Sequence, residues 1–141
     1  MSPLYAESSA VLRWLLQHEA SNRIEKALTG ATDVVTSRLT GLEVARTLHR
    51  LTSTRQISPA ERISYRAAYQ AVARHWKTYA VADEILERAG EPLPSEPVRS
   101  LDAIHLATAL VYSQAVAPLT FLSTDERLRD NAVALGLRVL P

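Results

Sequence analysis

The sequence predicts a three-layer α/β/α domain built on a central, mainly parallel sheet. Two observations carry this. Short runs rich in apolar and β-branched residues alternate with longer segments of helical periodicity, the pattern of a parallel sheet with helices on both faces. The length, 141 residues, suits one domain over residues 1–141, because two halves would each have a meagre core.

The elements follow in order. Leu4-Tyr5-Ala6 is a short apolar run, the first strand. Ser8 or Ser9 caps the helix that follows. Val11, Leu12, Leu15 and Leu16, then Ile24, Ala27 and Leu28, keep a helical spacing as far as Gly30. Asp33 to Ser37 is β-branched and forms strand two. Leu39-Thr40-Gly41-Leu42-Glu43 opens the next helix, where Val44, Leu48 and Leu51 make one buried stripe. Ser58-Pro59-Ala60-Glu61 reads as cap, first-turn proline and capping-box acid. The helix it starts runs to about His75, with Ile63, Ala67 and Ala71 on its inner face. Thr78 to Val81 is a short strand, and Ala82 to Ala89 a short helix closed by Gly90. Pro92, Pro94 and Pro97 make residues 91–97 a loop. Ser100 caps an apolar helix from Leu101 to about Ser113, buried on several sides. Leu119 to Leu122 is a strand, Asp125 to Leu135 a helix stopped by Gly136, and Leu137 to Leu140 the last strand.

Composition narrows the function. Hydrophobic residues make up 47% and charged residues 22%, a globular balance. There are 16 Lys and Arg against 15 Asp and Glu, which excludes a surface uniformly basic for nucleic acid. A local basic patch stays open, and all but Lys26 and Lys77 of the basic residues are arginine, suited to bidentate phosphate contacts. Arg46, Arg50 and Arg55, with His49, flank the second helix as an RNA-backbone track or as a solvated face. There is no cysteine, so thiolate metal sites and cysteine nucleophiles are excluded. The first residues lack the pattern of a signal peptide, and no apolar stretch reaches membrane-spanning length. A soluble cytoplasmic protein is expected.

The acids stand at telling places. Glu7 follows the first strand, Glu43 lies in the first turn of the helix after the second, Asp102 in the first turn of the apolar helix, and Asp125 at the start of the helix after Leu119–Leu122. In a parallel sheet at least three of these junctions open at one edge, so four carboxylates converge. Each alone is explained by the helix dipole, which favours such acids by about 0.3–1 kcal/mol. Together they repel one another unless a cation sits among them. All-oxygen ligands point to Mg²⁺ or Mn²⁺, and such ions support water attack at phosphorus.

Four segments resemble the motifs of PIN-domain nucleases, in family order and over nearly the whole chain. They are Tyr5-Ala6-Glu7-Ser8-Ser9-Ala10-Val11, Ser37-Arg38-Leu39-Thr40-Gly41-Leu42-Glu43-Val44-Ala45-Arg46, Arg99-Ser100-Leu101-Asp102-Ala103-Ile104-His105-Leu106-Ala107-Thr108-Ala109, and Leu119-Thr120-Phe121-Leu122-Ser123-Thr124-Asp125-Glu126-Arg127-Leu128. The most similar group is the VapC-like toxins of bacterial toxin–antitoxin pairs. The resemblance implies a Mg²⁺- or Mn²⁺-dependent endoribonuclease, usually a homodimer, neutralised by a small cognate antitoxin. It implies that Glu7, Glu43, Asp102 and Asp125 hold the metal. Glu7 departs from the family pattern, which more often has Asp there. The added methylene moves the carboxylate by roughly 1.5 Å.

Around these acids, Ser9 is a helix cap or a partner of a carboxylate, Thr124 a cap or an orienter of Asp125, and Glu126 a fifth acid or an exposed first-turn residue. Arg99 meets phosphate or forms a surface ion pair with little effect. His105 is read as a satisfied core histidine rather than a ligand. Trp14 is a core residue or the anchor of an antitoxin helix. Two rival functions remain. One is an acidic-pocket phosphatase-like enzyme, which needs a lysine near the phosphate. The other is a degenerate PIN-like module that binds RNA or protein without cleaving.

Overall fold

The structure is a computed structural model and describes residues 2–116 and 118–141. Five strands form one sheet, β1 (Leu4–Ala6), β2 (Val34–Ser37), β3 (Lys77–Tyr79), β4 (Thr120–Leu122) and β5 (Arg138–Leu140). Their order is β3-β2-β1-β4-β5 and every pairing is parallel. Seven helices fill the connections: α1 (Ser8–Leu15), α2 (Ser21–Gly30), α3 (Arg38–Ser53), α4 (Pro59–Ala73), α5 (Asp83–Ala89), α6 (Ser100–Ala115) and α7 (Glu126–Ala134).

Strand alternation sorts the core into two layers. Leu4, Ala6 and Leu122 turn to one face and pack with Val11 and Leu15 of α1, Ile24 and Leu28 of α2, Val44 and Leu48 of α3, and Tyr69 of α4. Tyr5, Val35 and Phe121 turn to the other and pack with Leu106 and Ala109 of α6 and Leu128 and Ala132 of α7. α5 packs on α6. This is the three-layer architecture, and its sheet is parallel throughout.

Several local expectations need correction. The first helical region is two helices, not one. Gln17 and Ala20 adopt positive φ, 55° and 68°, and His18 N–H donates back to the Arg13 carbonyl at 2.9 Å, closing α1. Glu7, not Ser8 or Ser9, caps α1: its side chain accepts from Ser9 N–H. Ser37 caps α3 through Leu39 N–H, so the helix starts at Arg38 and Glu43 falls in its second turn rather than its first. Thr40 sits inside that helix, paired with Thr36 Oγ1 at 2.6 Å. Arg99 occupies the cap position of α6 without a side-chain bond, and Ser100 is the first helical residue.

α4 begins with the expected capping box, with Ser58 and Glu61 bonded reciprocally and Pro59 in the first turn. Its inner face differs from the expectation. Ile63, Ala67 and Ala71 are exposed, whereas Tyr69 is buried and Tyr65 and Ala73 pack on the core. The aromatic side offers more apolar area to bury than the alanine side. Tyr69 and Trp14 both meet Trp76, ring centroids 6.1 and 6.4 Å away. That makes Trp14 a partly buried core residue. Gly136 ends the turn after α7 with φ 86°, a conformation that favours glycine.

Candidate active site

The strand order reverses direction between β1 and β4, and ligands of open parallel sheets bind beyond the carboxyl ends of strands at such a point. Glu7 follows β1 directly, the β2–α3 junction carries Glu43 one turn further on, and Asp125 caps α7 after β4. α6 runs into β4, so its first turn brings Asp102 to the same edge.

Glu7 is 2% exposed and tightly held. Its Oε1 accepts from Ser123 Oγ at 2.9 Å, and its Oε2 accepts from Ser8 Oγ at 3.1 Å and from Ser9 N–H. Its own N–H donates to the Leu122 carbonyl, which ties the residue to the end of β4. Glu43 is held through one oxygen. Oε1 lies 2.6 Å from His105 Nε2 and accepts from Ser8 Oγ at 3.0 Å. Ser8 Oγ thus lies within reach of both Glu7 and Glu43, and its one proton is shared between the two carboxylates.

Asp125 Oδ1 accepts from Leu128 N–H at 3.0 Å, and its own N–H donates to Ser123 Oγ at 3.1 Å. Asp102 is the least restrained of the four. Its salt bridge is to Arg99 Nε at 4.0 Å, and the Arg99 side chain is 92% exposed. Burial, then the nearby charges of Glu7 and Asp125, push the Asp102 carboxyl above its ordinary value, against a smaller opposing pull from Arg99 and His105.

The supporting residues fall into place less uniformly. Ser9 Oγ accepts from both the N–H and Oγ1 of Thr124 at 3.1 Å and lies 3.3 Å from Ser123 Oγ. Neither Ser9 nor Thr124 is a helix cap, and together they clamp the β1 and β4 ends. Glu126 is an exposed first-turn residue. Arg46, His49 and Arg50 line an open hollow of about 600 Å³ with Thr47 and Ser53. Arg55, in the turn after α3, is not among its lining residues.

Two participants carried weak sequence signals. Ser123 bonds Glu7, and it stands two residues before Asp125, a common spacing for a side-chain turn. His105 lies three residues after Asp102, on a neighbouring helix face. A hollow of about 370 Å³ is lined by Arg13, Arg23 and Arg129 together with Glu19, Thr124 and Glu126, the last two flanking Asp125 in the chain, and only the tertiary fold gathers those arginines.

The PIN domain family model matches residues 4–134. The chain belongs to the PIN-domain family. It is 33% identical over 140 residues to Ribonuclease VapC35 of Mycobacterium tuberculosis, covering 97% of this chain and 95% of that protein. It is 32% identical over 140 residues to Ribonuclease VapC46 of the same organism, covering 99% and 98%. A toxin-antitoxin complex from Klebsiella pneumoniae contains a chain of the same fold, at 14% identity and TM-score 0.67, covering 98% of this chain and 96% of that one. These PIN and VapC likenesses agree with the motif resemblance read from the sequence.

The acids fit a hard divalent cation in chemistry. All donors are carboxylate oxygens, and Asp102 carries a repulsion that a cation relieves. Among the described residues no three His, Asp or Glu side chains already form a metal-holding group. Mg²⁺ does not require one: it keeps several waters and is commonly bound by one or two carboxylates plus substrate phosphate.

Proposed function

We propose that this chain is a metal-dependent endoribonuclease, the toxin of a toxin–antitoxin pair, and that it hydrolyses RNA phosphodiesters at the carboxyl edge of the sheet. The observation that carries the reading is the gathering of acids at the carboxyl edge of the sheet, where burial and then the charges of Glu7 and Asp125 raise Asp102. The names of the ribonuclease relatives support RNA as the substrate. Glu7, Glu43, Asp102 and Asp125 would hold Mg²⁺ or Mn²⁺. When bound, the ion supplies Lewis-acid polarisation of a phosphoryl oxygen and acidifies water.

The chain's own groups then have distinct tasks. Asp102 and Asp125 present carboxylates with few competing partners to the open side. Glu7, buried and hydrogen-bonded through both oxygens, is held in a fixed orientation for its share of the site. No side chain needs to act as a covalent nucleophile. Arg13, Arg23 and Arg129 beside Thr124 offer a landing place for the RNA backbone.

A small cognate antitoxin neutralises the protein, which acts as a cytoplasmic homodimer. A toxin-antitoxin complex of the same fold supports that partner. The phosphatase-like alternative is disfavoured, because neither lysine stands with the acids. Lys77 opens β3 and pairs with Asp33 just before β2, and Lys26 shares a hollow with Ser2, Leu4 and Thr120. Both therefore sit toward the opposite, amino edge.

Incubation of the purified protein with structured RNA, with and without chelator, tests the proposal. Cleavage is expected to stop in excess EDTA and return on adding Mn²⁺. Undiminished cleavage in EDTA overturns the metal-dependent reading, and Mn²⁺ binding without any cleavage favours the non-catalytic module. Induced expression is expected to arrest growth for the wild type and not for Asp102→Asn.

A further inference from the structure

Behind the acids lies a buried polar chain that the proposed chemistry has not used. His105 is 0% exposed on α6. Its Nδ1 is 2.7 Å from the Tyr5 hydroxyl, and its Nε2 is 2.6 Å from Glu43 Oε1. Tyr5, also 0% exposed, lies parallel to Phe121 with centroids 5.6 Å apart and meets the imidazole edge-on at 6.0 Å. The anchor is thus an aromatic pair locked between β1 and β4.

We propose that His105 is a positioning residue that fixes the Glu43 carboxylate, and that Tyr5 in turn fixes His105. An ionised carboxylate only accepts hydrogen bonds, so Nε2 donates to Glu43. In a neutral ring Nδ1 then accepts from the Tyr5 hydroxyl, which sets the tautomer. The contacts of Glu43 fall on Oε1, and Oε2 has no hydrogen-bond partner among the described residues. One oxygen is tethered and the other is left to the site.

The cost of the chain argues for this role. Burying a phenol and an imidazole amid Val35, Leu106 and Phe121 is unfavourable unless both are bonded. An apolar side chain at 105 would fill the same core without that demand. Partners that orient a ligating carboxylate commonly change metal affinity 10–100-fold when removed. This inference rests on the proposed metal role of Glu43, and the test separates the two.

Mn²⁺ titration calorimetry and melting curves are compared for the wild type, His105→Gln, His105→Leu and Tyr5→Phe. The imidazole ¹⁵N and Glu43 side-chain ¹³C signals are followed in the metal-free proteins. Gln keeps an N–H for Glu43 and is expected to retain most of the affinity. Leu is expected to weaken Mn²⁺ binding about 10–100-fold while remaining folded, and Tyr5→Phe to weaken it less and shift the Nδ1 signal.

Equal Mn²⁺ affinity in a folded His105→Leu protein overturns the inference. Should that variant fail to fold, Tyr5→Phe decides: unchanged affinity together with unchanged ¹⁵N signals overturns it. If the wild type binds no Mn²⁺, the metal reading falls on its own. The positioning claim then stands only if the Glu43 ¹³C signal moves in Tyr5→Phe.

Discussion

The two ends of the same sheet treat charge in opposite ways. At the amino edge Lys77 Nζ meets Asp33 Oδ1 at 3.3 Å, with both side chains about half exposed or more. The charges cancel in water. At the carboxyl edge Glu7 is buried, Glu43 and Asp102 are part-buried with side chains 24% and 28% exposed, and Asp125 stands beside them. There the acids outweigh the one exposed arginine that reaches them, Arg99, and burial and then repulsion from Glu7 and Asp125 act on Asp102. Electrostatic strain concentrated at one edge, and absent from the other, marks where function opposes stability. Substitutions at each edge can break this contrast.

The largest effect is expected on activity at the carboxyl edge. Asp102→Asn keeps size and shape and removes the charge. RNA cleavage should fall by at least about 100-fold, the upper end of what even outer-shell changes cause, with an unchanged circular dichroism spectrum. Cleavage within a few-fold of the wild type would remove Asp102 from the site.

Next comes Ser123→Ala, which deletes the donor to Glu7 Oε1 and the acceptor for Asp125 N–H. Ser123 is 0% exposed, so water does not easily replace it. A loss of about 1–3 kcal/mol in urea unfolding is expected, the range for leaving a buried polar partner unpaired. A loss below 0.5 kcal/mol would mean that the carboxyl edge is looser than its hydrogen bonds imply.

How much of this contrast the sequence carried differs from residue to residue. Pro59 and the Ser58–Glu61 pair announce α4 because a capping box is local chemistry. The apolar circumference of α6 and the acids at the strand ends were legible for the same reason: periodicity and junctions are written over a few residues. The break at Gln17 and Ala20 was not, since positive φ at residues other than glycine leaves no compositional mark. The inner face of α4 was misread because alanine spacing looked apolar while Tyr65 and Tyr69 held the larger area. The roles of Ser123 and His105 depend on partners 116 and 62 residues away. No local pattern reports such pairs.

A smaller effect is expected on the stability of the metal-free protein. The Asp102 carboxyl is raised in the fold above its ordinary 3.8, chiefly by burial and then by Glu7 and Asp125. A raised carboxyl favours folding when protonated, and that advantage is lost as pH rises through its folded value. Asp102→Asn should therefore melt higher than the wild type at neutral pH, and the difference should shrink as pH falls from the raised folded value towards the ordinary 3.8 and be gone below it. Mn²⁺ should raise the melting temperature of the wild type and not of the variant. A variant that melts lower at pH 7 without metal would show that repulsion does not govern this edge.

The smallest effect belongs to the amino edge. Asp33 beside Lys77, by hydrogen bond and then by charge, raises the lysine above its ordinary 10.5. For a raised lysine the stabilising contribution is complete below the unfolded value and is lost as pH rises through the folded one. At pH 7 it is therefore fully present, yet both partners are solvated and salt screens them. Lys77→Met should leave the melting temperature, Mn²⁺ affinity and RNA cleavage indistinguishable from the wild type at physiological salt. A loss of cleavage would bring a lysine into the chemistry and revive the phosphatase-like alternative. A loss of stability alone would mean that the amino edge, too, holds its charges away from water.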